Sequence, residues 1–190
     1  RSSLVGSEMC IRDSSRDQKQ RLARLSDDVL NEMHLLSKWD QHNLDQLHSI
    51  PLAVLRRNAT QRHGVTRFRR RAKGCELKTE DVETIDLHPR LLDEAWGDYA
   101  RFVLYHEYLH ALGNRFHDAQ FRILEELWPF TGAERGREFT QFLRQSTATW
   151  LWVCETCDKH YPRKKKANRR YRCRICSSIL IDVANMQEAN

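Results

Sequence analysis

The chain has 190 residues, enough for one modest domain with a small appendage and a core of its own. Charged residues make up 31% of it, and no apolar run approaches the roughly 18 residues that a bilayer-spanning helix needs. A soluble protein is therefore expected, with a formal net charge of +6 that matters chiefly because it is concentrated in one segment.

The first 14 residues, "RSSLVGSEMCIRDS", open without Met and show no periodicity. They also lack the basic, apolar, small-residue succession of a secretory signal, so an intracellular protein is expected. They read as an extraneous leader, and the fold is expected to start at residue 15. From Arg16 to Leu47, Leu22, Leu25, Val29, Met33 and Leu36 recur at spacings of three and four, which predicts an amphipathic helix. Pro51 breaks it. A second helix is expected from Leu52 to His63, stopped by Gly64. "VTRFRRR" then alternates like a strand, "KG" at 73 and 74 reads as a turn, and "VETIDLH" as a further strand with Ile85 and Leu87 on one face.

Pro89 suits the first position of a short helix holding Leu91 and Leu92. Asp98 is a candidate N-cap for the helix "YARFVLYHEYLHAL", and Gly113 its candidate end. After a loop "NRF", a helix is expected to start near His117, put Phe121, Leu124 and Leu127 on one face, and stop at Pro129. A last helix, roughly Glu134 to Gln145, leads into "WLWVC", where helical periodicity gives way to paired cysteines. The expected partition is therefore residues 15–150 for the main domain and 151–185 for the appendage.

Within the helix "YARFVLYHEYLHAL", His106 and His110 are four residues apart and stand on one face, about 6 Å apart along the axis. That reach suits two imidazoles meeting one Zn²⁺ at roughly 2.0–2.1 Å. Glu107, next to the first ligand, is placed to take a proton from a water held by the metal. His117, returning after Gly113 and a short loop, supplies a third ligand and leaves the fourth position open for chemistry. Glu125 and Glu126 are the alternative third ligands. Burying a helix with two adjacent histidine faces and no partner for them would be costly.

Cys154-x2-Cys157-x15-Cys173-x2-Cys176 has the spacing of a four-cysteine zinc ribbon. Four sulfurs close the coordination sphere, so this second zinc is expected to be structural. Between the cysteine pairs, "RKKKANRRYRCR" holds eight Lys or Arg and no acid. Arg163, Lys164, Lys165, Lys166, Arg169, Arg170 and Arg172 are candidates for phosphate contact and Tyr171 for base stacking, which suits DNA with single-stranded character. Trp150 and Trp152 lie just before, and at least one of them is expected to be structural.

The segment "HEYLHALGNRFHDAQF" resembles the SprT-like, or Spartan-like, metallopeptidase family, in which HExxH is followed after a short loop by His-Gly-x-x-Phe. His117 and Phe121 match, while Asp118 stands where the family has glycine, a place from which it could orient the neighbouring imidazole. "IDLHPRLL" ahead of the motif also looks like this family, and with the ribbon the resemblance covers about residues 52 to 182. It implies an α+β, minimal zincin-like domain, with helices packed on a small antiparallel sheet, followed by a zinc ribbon. It also implies a zinc endopeptidase that cleaves DNA-bound or DNA-crosslinked proteins, with no membrane partner, in the cytoplasm or nucleoid, or in the nucleus of a eukaryote. The competing expectation is a nucleic-acid-binding or transcription-associated ribbon protein whose HExxH site is structural or inactive.

Overall fold

The computed structural model describes residues 15–69 and 78–186. The expected leader with Cys10, the turn at 73 and 74, Cys75, and Arg70 and Arg71 of the basic strand lie outside the described residues. The described chain forms two compact units. One holds the residues up to Arg57 together with His63–Gly132; the other holds Asn58–Arg62 and the residues from Ala133 onward.

In the first unit, α1 (Arg16–Leu35) opens on a reciprocal cap. The Gln18 amide donates to Ser15 Oγ at 3.2 Å, and the Ser15 amide donates to Gln18 Oε1 at 3.0 Å. Leu22, Val29, Leu30 and Met33 form its buried face. The single helix expected to reach Leu47 is in fact two. Ser37 takes a left-handed φ of 50°, and Asp40 caps α2 (Gln41–His48) by accepting from the Asn43 amide at 2.8 Å. The apolar period runs on through Leu44 and Leu47, which is why the break is hard to see in the sequence.

The helix expected from Leu52 to His63 does not form. Leu52–Val54 is instead β1, paired in parallel with β3 (Val82–Leu87), with Leu52 opposite Ile85 and Val54 opposite Leu87. Beyond Leu55 the polar run "RRNATQRH" offers no apolar face to bury, so propensity loses to strand pairing at its apolar start. β2 (Gly64–Phe68) lies antiparallel on the other side of β3, with an irregularity at Arg67/Phe68. The order is β1-β3-β2, so the sheet is mixed where a wholly antiparallel one was expected. β3 runs through its centre, with Val82, Ile85 and Leu87 buried.

Pro89 opens a 3₁₀ turn (Pro89–Leu92), a second follows (Glu94–Trp96), and α3 runs from Gly97 to Ala111. Trp96, not Asp98, holds the cap position; Asp98 pairs with Arg101 at 2.6 Å. Tyr99, Ala100, Val103, Leu104, Tyr105, Tyr108, Leu109 and Ala111 are all buried, so α3 is the central helix of this unit. Gly113, at φ 96°, ends it, and α4 (Ala119–Glu125) follows the loop.

In the second unit, α5 (Gly136–Ser146) buries Phe139 and Leu143. β4 (Trp150–Val153), β5 (His160–Arg163) and β6 (Ile181–Ala184) form an antiparallel sheet in the order β5-β4-β6. Asn185 Nδ2 donates to the carbonyls of Gln145 (3.0 Å) and Ala148 (2.8 Å), tying the end of β6 to the end of α5. α5 therefore groups with the ribbon, and the partition falls at Gly132/Ala133, earlier than the composition change near Trp150. Among the described residues no helix is long and apolar enough to cross a membrane.

Candidate metal centres

α3 presents His106 and His110 on one face, and the tight turn at Gly113 brings His117 back to them. His106 Nε2 lies 3.2 Å from His110 Nε2 and 3.1 Å from His117 Nε2. The ligand atoms of all three lie within 4.8 Å of one another. Two of the rings are fixed from behind: His106 Nδ1 meets Glu125 Oε1 at 2.6 Å, and His110 Nδ1 meets the Asn114 carbonyl at 2.7 Å. Each Nδ1 therefore carries the proton, which leaves the Nε2 lone pairs facing one another. Lone pairs so close repel unless a cation lies among them. The separations also match the roughly 3.3 Å between ligands expected around tetrahedral zinc at about 2.0–2.1 Å. The three histidines fit a metal ion.

Fully buried Phe121 backs the cluster, with its ring centroid 4.8–4.9 Å from those of His106, His110 and His117. Glu107 is turned towards β2 and is only 6% exposed. Thr66 Oγ1 donates to Glu107 Oε2 at 2.7 Å and also lies 3.0 Å from the Glu107 carbonyl. Burial pushes the Glu107 carboxyl above the usual carboxylate range, opposed by the Thr66 hydrogen bond and by His106.

The four cysteine sulfurs also lie within 4.8 Å of one another, with Cys154 to Cys176 at 3.3 Å and Cys157 to Cys173 at 3.5 Å. Two similar knuckles hold them. The Cys154 amide donates to the Lys159 carbonyl at 3.0 Å, and the Cys173 amide to the Ser178 carbonyl at 2.8 Å. Asp158 and Ser177, each following the second cysteine of its pair, take left-handed φ values of 53° and 61°. The Tyr161 hydroxyl leads in holding the Cys173 thiol down, at about 6, while the hydrogen bond to Cys173 pushes Cys157 up to about 12. Neighbouring sulfurs cannot all ionise without a cation to share, so this donor set fits zinc.

The chain resembles a SprT-like protein. It is 26% identical over 106 residues to "Protein SprT-like" of Streptococcus equi subsp. equi (strain 4047), a match covering 52% of this chain and 68% of that protein. No family model matches the chain, and no solved structure matches it.

Two acidic side chains, Glu125 and Asp118, have roles other than those the sequence suggested for them. Glu125, an alternative third ligand, instead holds His106 from behind, and that hydrogen bond keeps its carboxyl below the usual range. Asp118 caps α4 by accepting from the Phe121 amide at 2.9 Å, so the residue in place of the SprT-like glycine serves the helix and not the imidazole. Tyr105 and Tyr108 are core residues: the Tyr105 hydroxyl donates to the Leu124 carbonyl, and the Tyr108 hydroxyl lies 2.8 Å from Ser26 Oγ. Burial pushes Tyr108 up to about 12.

Thr66 and Gly64 carry no local signal in the sequence, because their partner lies some 40 residues away. A Cβ on Gly64 would sit 2.6 Å from Glu107 Oε1 and 2.8 Å from its Cγ. Gly64→Ala is expected to displace the Glu107 carboxylate and leave the fold intact. If Glu107 is catalytic, turnover should drop by up to about 10²-fold, the effect of a misplacement near 1 Å. Steady-state kinetics alongside zinc content check this.

In the basic loop, Trp152 Nε1 donates to the Lys165 carbonyl at 2.8 Å, and Asp182 accepts from the Asn168 amide at 2.8 Å. The Trp152 and Tyr171 rings stack at 4.4 Å. Arg163 Cζ lies 5.0 Å above Trp152, and Lys166 Nζ 4.3 Å above Trp150. Lys164, Lys165, Arg169, Arg170 and Arg172 are exposed along the loop.

Proposed function

We propose that this chain is a zinc-dependent endopeptidase that acts on proteins bound or crosslinked to DNA. The observation that carries the reading is the convergence of three Nε2 atoms, two of them fixed through Nδ1, beside a buried glutamate in the HExxH arrangement. His106, His110 and His117 hold the metal. Zinc in such a site supplies Lewis acidity and makes water nucleophilic near neutral pH. Glu107 takes the proton from the attacking water and passes it to the leaving amine. Thr66 keeps one carboxylate oxygen oriented for that transfer, and Phe121 backs the three imidazoles. The Cys154, Cys157, Cys173 and Cys176 set holds a second, structural zinc.

Support for a nucleic-acid partner comes from the loop at 163–174, where Lys and Arg lie among aromatic rings and can neutralise phosphates beside a stacking surface. The similarity to a SprT-like protein supports the metallopeptidase half of the reading.

The test compares a protein covalently linked to DNA with the same protein free. Faster cleavage of the linked form is expected. Replacing Lys164, Lys165 and Lys166 with Gln should remove most of that advantage and flatten the log–log salt slope of DNA binding by about 0.7–0.9 for each phosphate no longer neutralised. Equal cleavage of both forms by the wild type would defeat the DNA-directed part of the proposal.

A further inference from the structure

The second unit carries a groove of about 1030 Å³ between α5 and the strand β5, which meets the loop at 163–174 only at its two ends, Arg163 and Arg174. On the α5 wall, Arg137, Gln141 and Arg144 follow at i, i+4 and i+7, which puts them on one stripe about 10 Å long. Phe139 and Leu143 hold the other side of that helix in the core, so the arginine stripe is turned outward. Lys159, Arg163 and Arg174 line the groove from the ribbon.

Five cations thus face one groove, and Glu134 is the one carboxylate among the lining residues. Among the described residues, no carboxylate pairs with Arg137, Arg144, Lys159 or Arg174. Cations gathered without counterions repel one another, and an anionic ligand relieves that repulsion. Four of the five are arginines, whose planar fork matches phosphate oxygens in a bidentate way.

We infer that this groove binds the phosphodiester backbone of a nucleic-acid strand, extending the binding surface beyond the basic loop. The inference rests on the nucleic-acid partner proposed above. Arg163 lines the groove and also lies over Trp152, so it joins the arginine-lined wall to the stacked Trp152–Tyr171 pair. A ligand that alternates phosphates with planar bases suits both parts. An acidic polypeptide supplies the charge but not the planar groups.

The experiment uses the full, zinc-loaded chain and measures binding of a labelled oligothymidylate across a salt series. Two double variants are compared with the wild type: Arg137→Gln with Arg144→Gln, and Lys159→Gln with Arg174→Gln. All four positions are exposed, so zinc content and far-UV circular dichroism should be unchanged. Should one double misfold, the other decides. Each double is expected to bind more weakly, with the salt slope flattened by about 0.7 for each phosphate of the single strand that is no longer neutralised. Unchanged affinity and slope in a folded double, with the wild type binding normally, overturn the groove and leave the loop proposal standing. No oligonucleotide binding by the wild type overturns both. Tighter binding of polyglutamate than of oligothymidylate, abolished in the same doubles, overturns the choice of nucleic acid.

Discussion

Glu107→Gln is expected to slow peptide hydrolysis by about 10²–10⁴-fold with zinc content unchanged, because it removes a positioned base and no metal ligand. The argument is steric as well as chemical. The Glu107 carboxylate is wedged between Thr66 Oγ1 and the bare Cα of Gly64, and glutamine has nearly the same size and shape. The Thr66 hydroxyl can still donate to the amide oxygen, so the side chain keeps its place. Only the capacity to take a proton is removed. Turnover measured on a peptide substrate, with elemental analysis of the same sample, checks this. Wild-type rates in the glutamine variant would rule out proton transfer through Glu107.

Metal removal should separate the two centres by lability. Two zinc ions per chain are expected, and His110→Ala should cost one of them. Three histidine ligands would leave a fourth position open, and His117 is exposed, so a chelator should empty this centre first and abolish activity while the ribbon stays folded. The four-cysteine centre is different. Cys154, Cys173 and Leu180 are the buried cluster of the ribbon, with Trp152 and Tyr161 packed on it. Zinc in such small modules contributes folding free energy of about 10–16 kcal/mol, so Cys173→Ala should unfold the ribbon outright. Near-UV circular dichroism of the ribbon aromatics, followed during chelation beside activity, reads both events. Simultaneous loss of activity and ribbon signal would contradict the assignment of two independent centres.

What the sequence made legible was local. The HExxH spacing, the return of His117 after Gly113, the cysteine pairs, and the strands expected in "VTRFRRR" and "VETIDLH" all depend on neighbours within a few residues. The misreadings are places where a distant partner decided the outcome. Leu52–Val54 is a strand because β3 offers it hydrogen bonds from about 30 residues away, and nothing in "LAV" announces that. The break between α1 and α2 had a local signal in "SKWD", but an uninterrupted apolar period masked it. Thr66, Gly64 and Glu125 became visible only once β2 and α4 were packed around α3.

That division between near and far applies to the catalytic candidate itself. The three histidines, Asn114, Phe121 and Glu125 all come from one continuous stretch of 20 residues, whereas the surroundings of Glu107 are built from β2, about 40 residues upstream. Contacts of short sequence separation close quickly and contacts of long separation late. By this ordering the ligand atoms of residues 106–125 would come together before the sheet pairs. Such a half-assembled chain would hold metal with its base unplaced. On the proposed reading, metal loading would then precede placement of the base, and the strand bearing Gly64 and Thr66 would complete the site last.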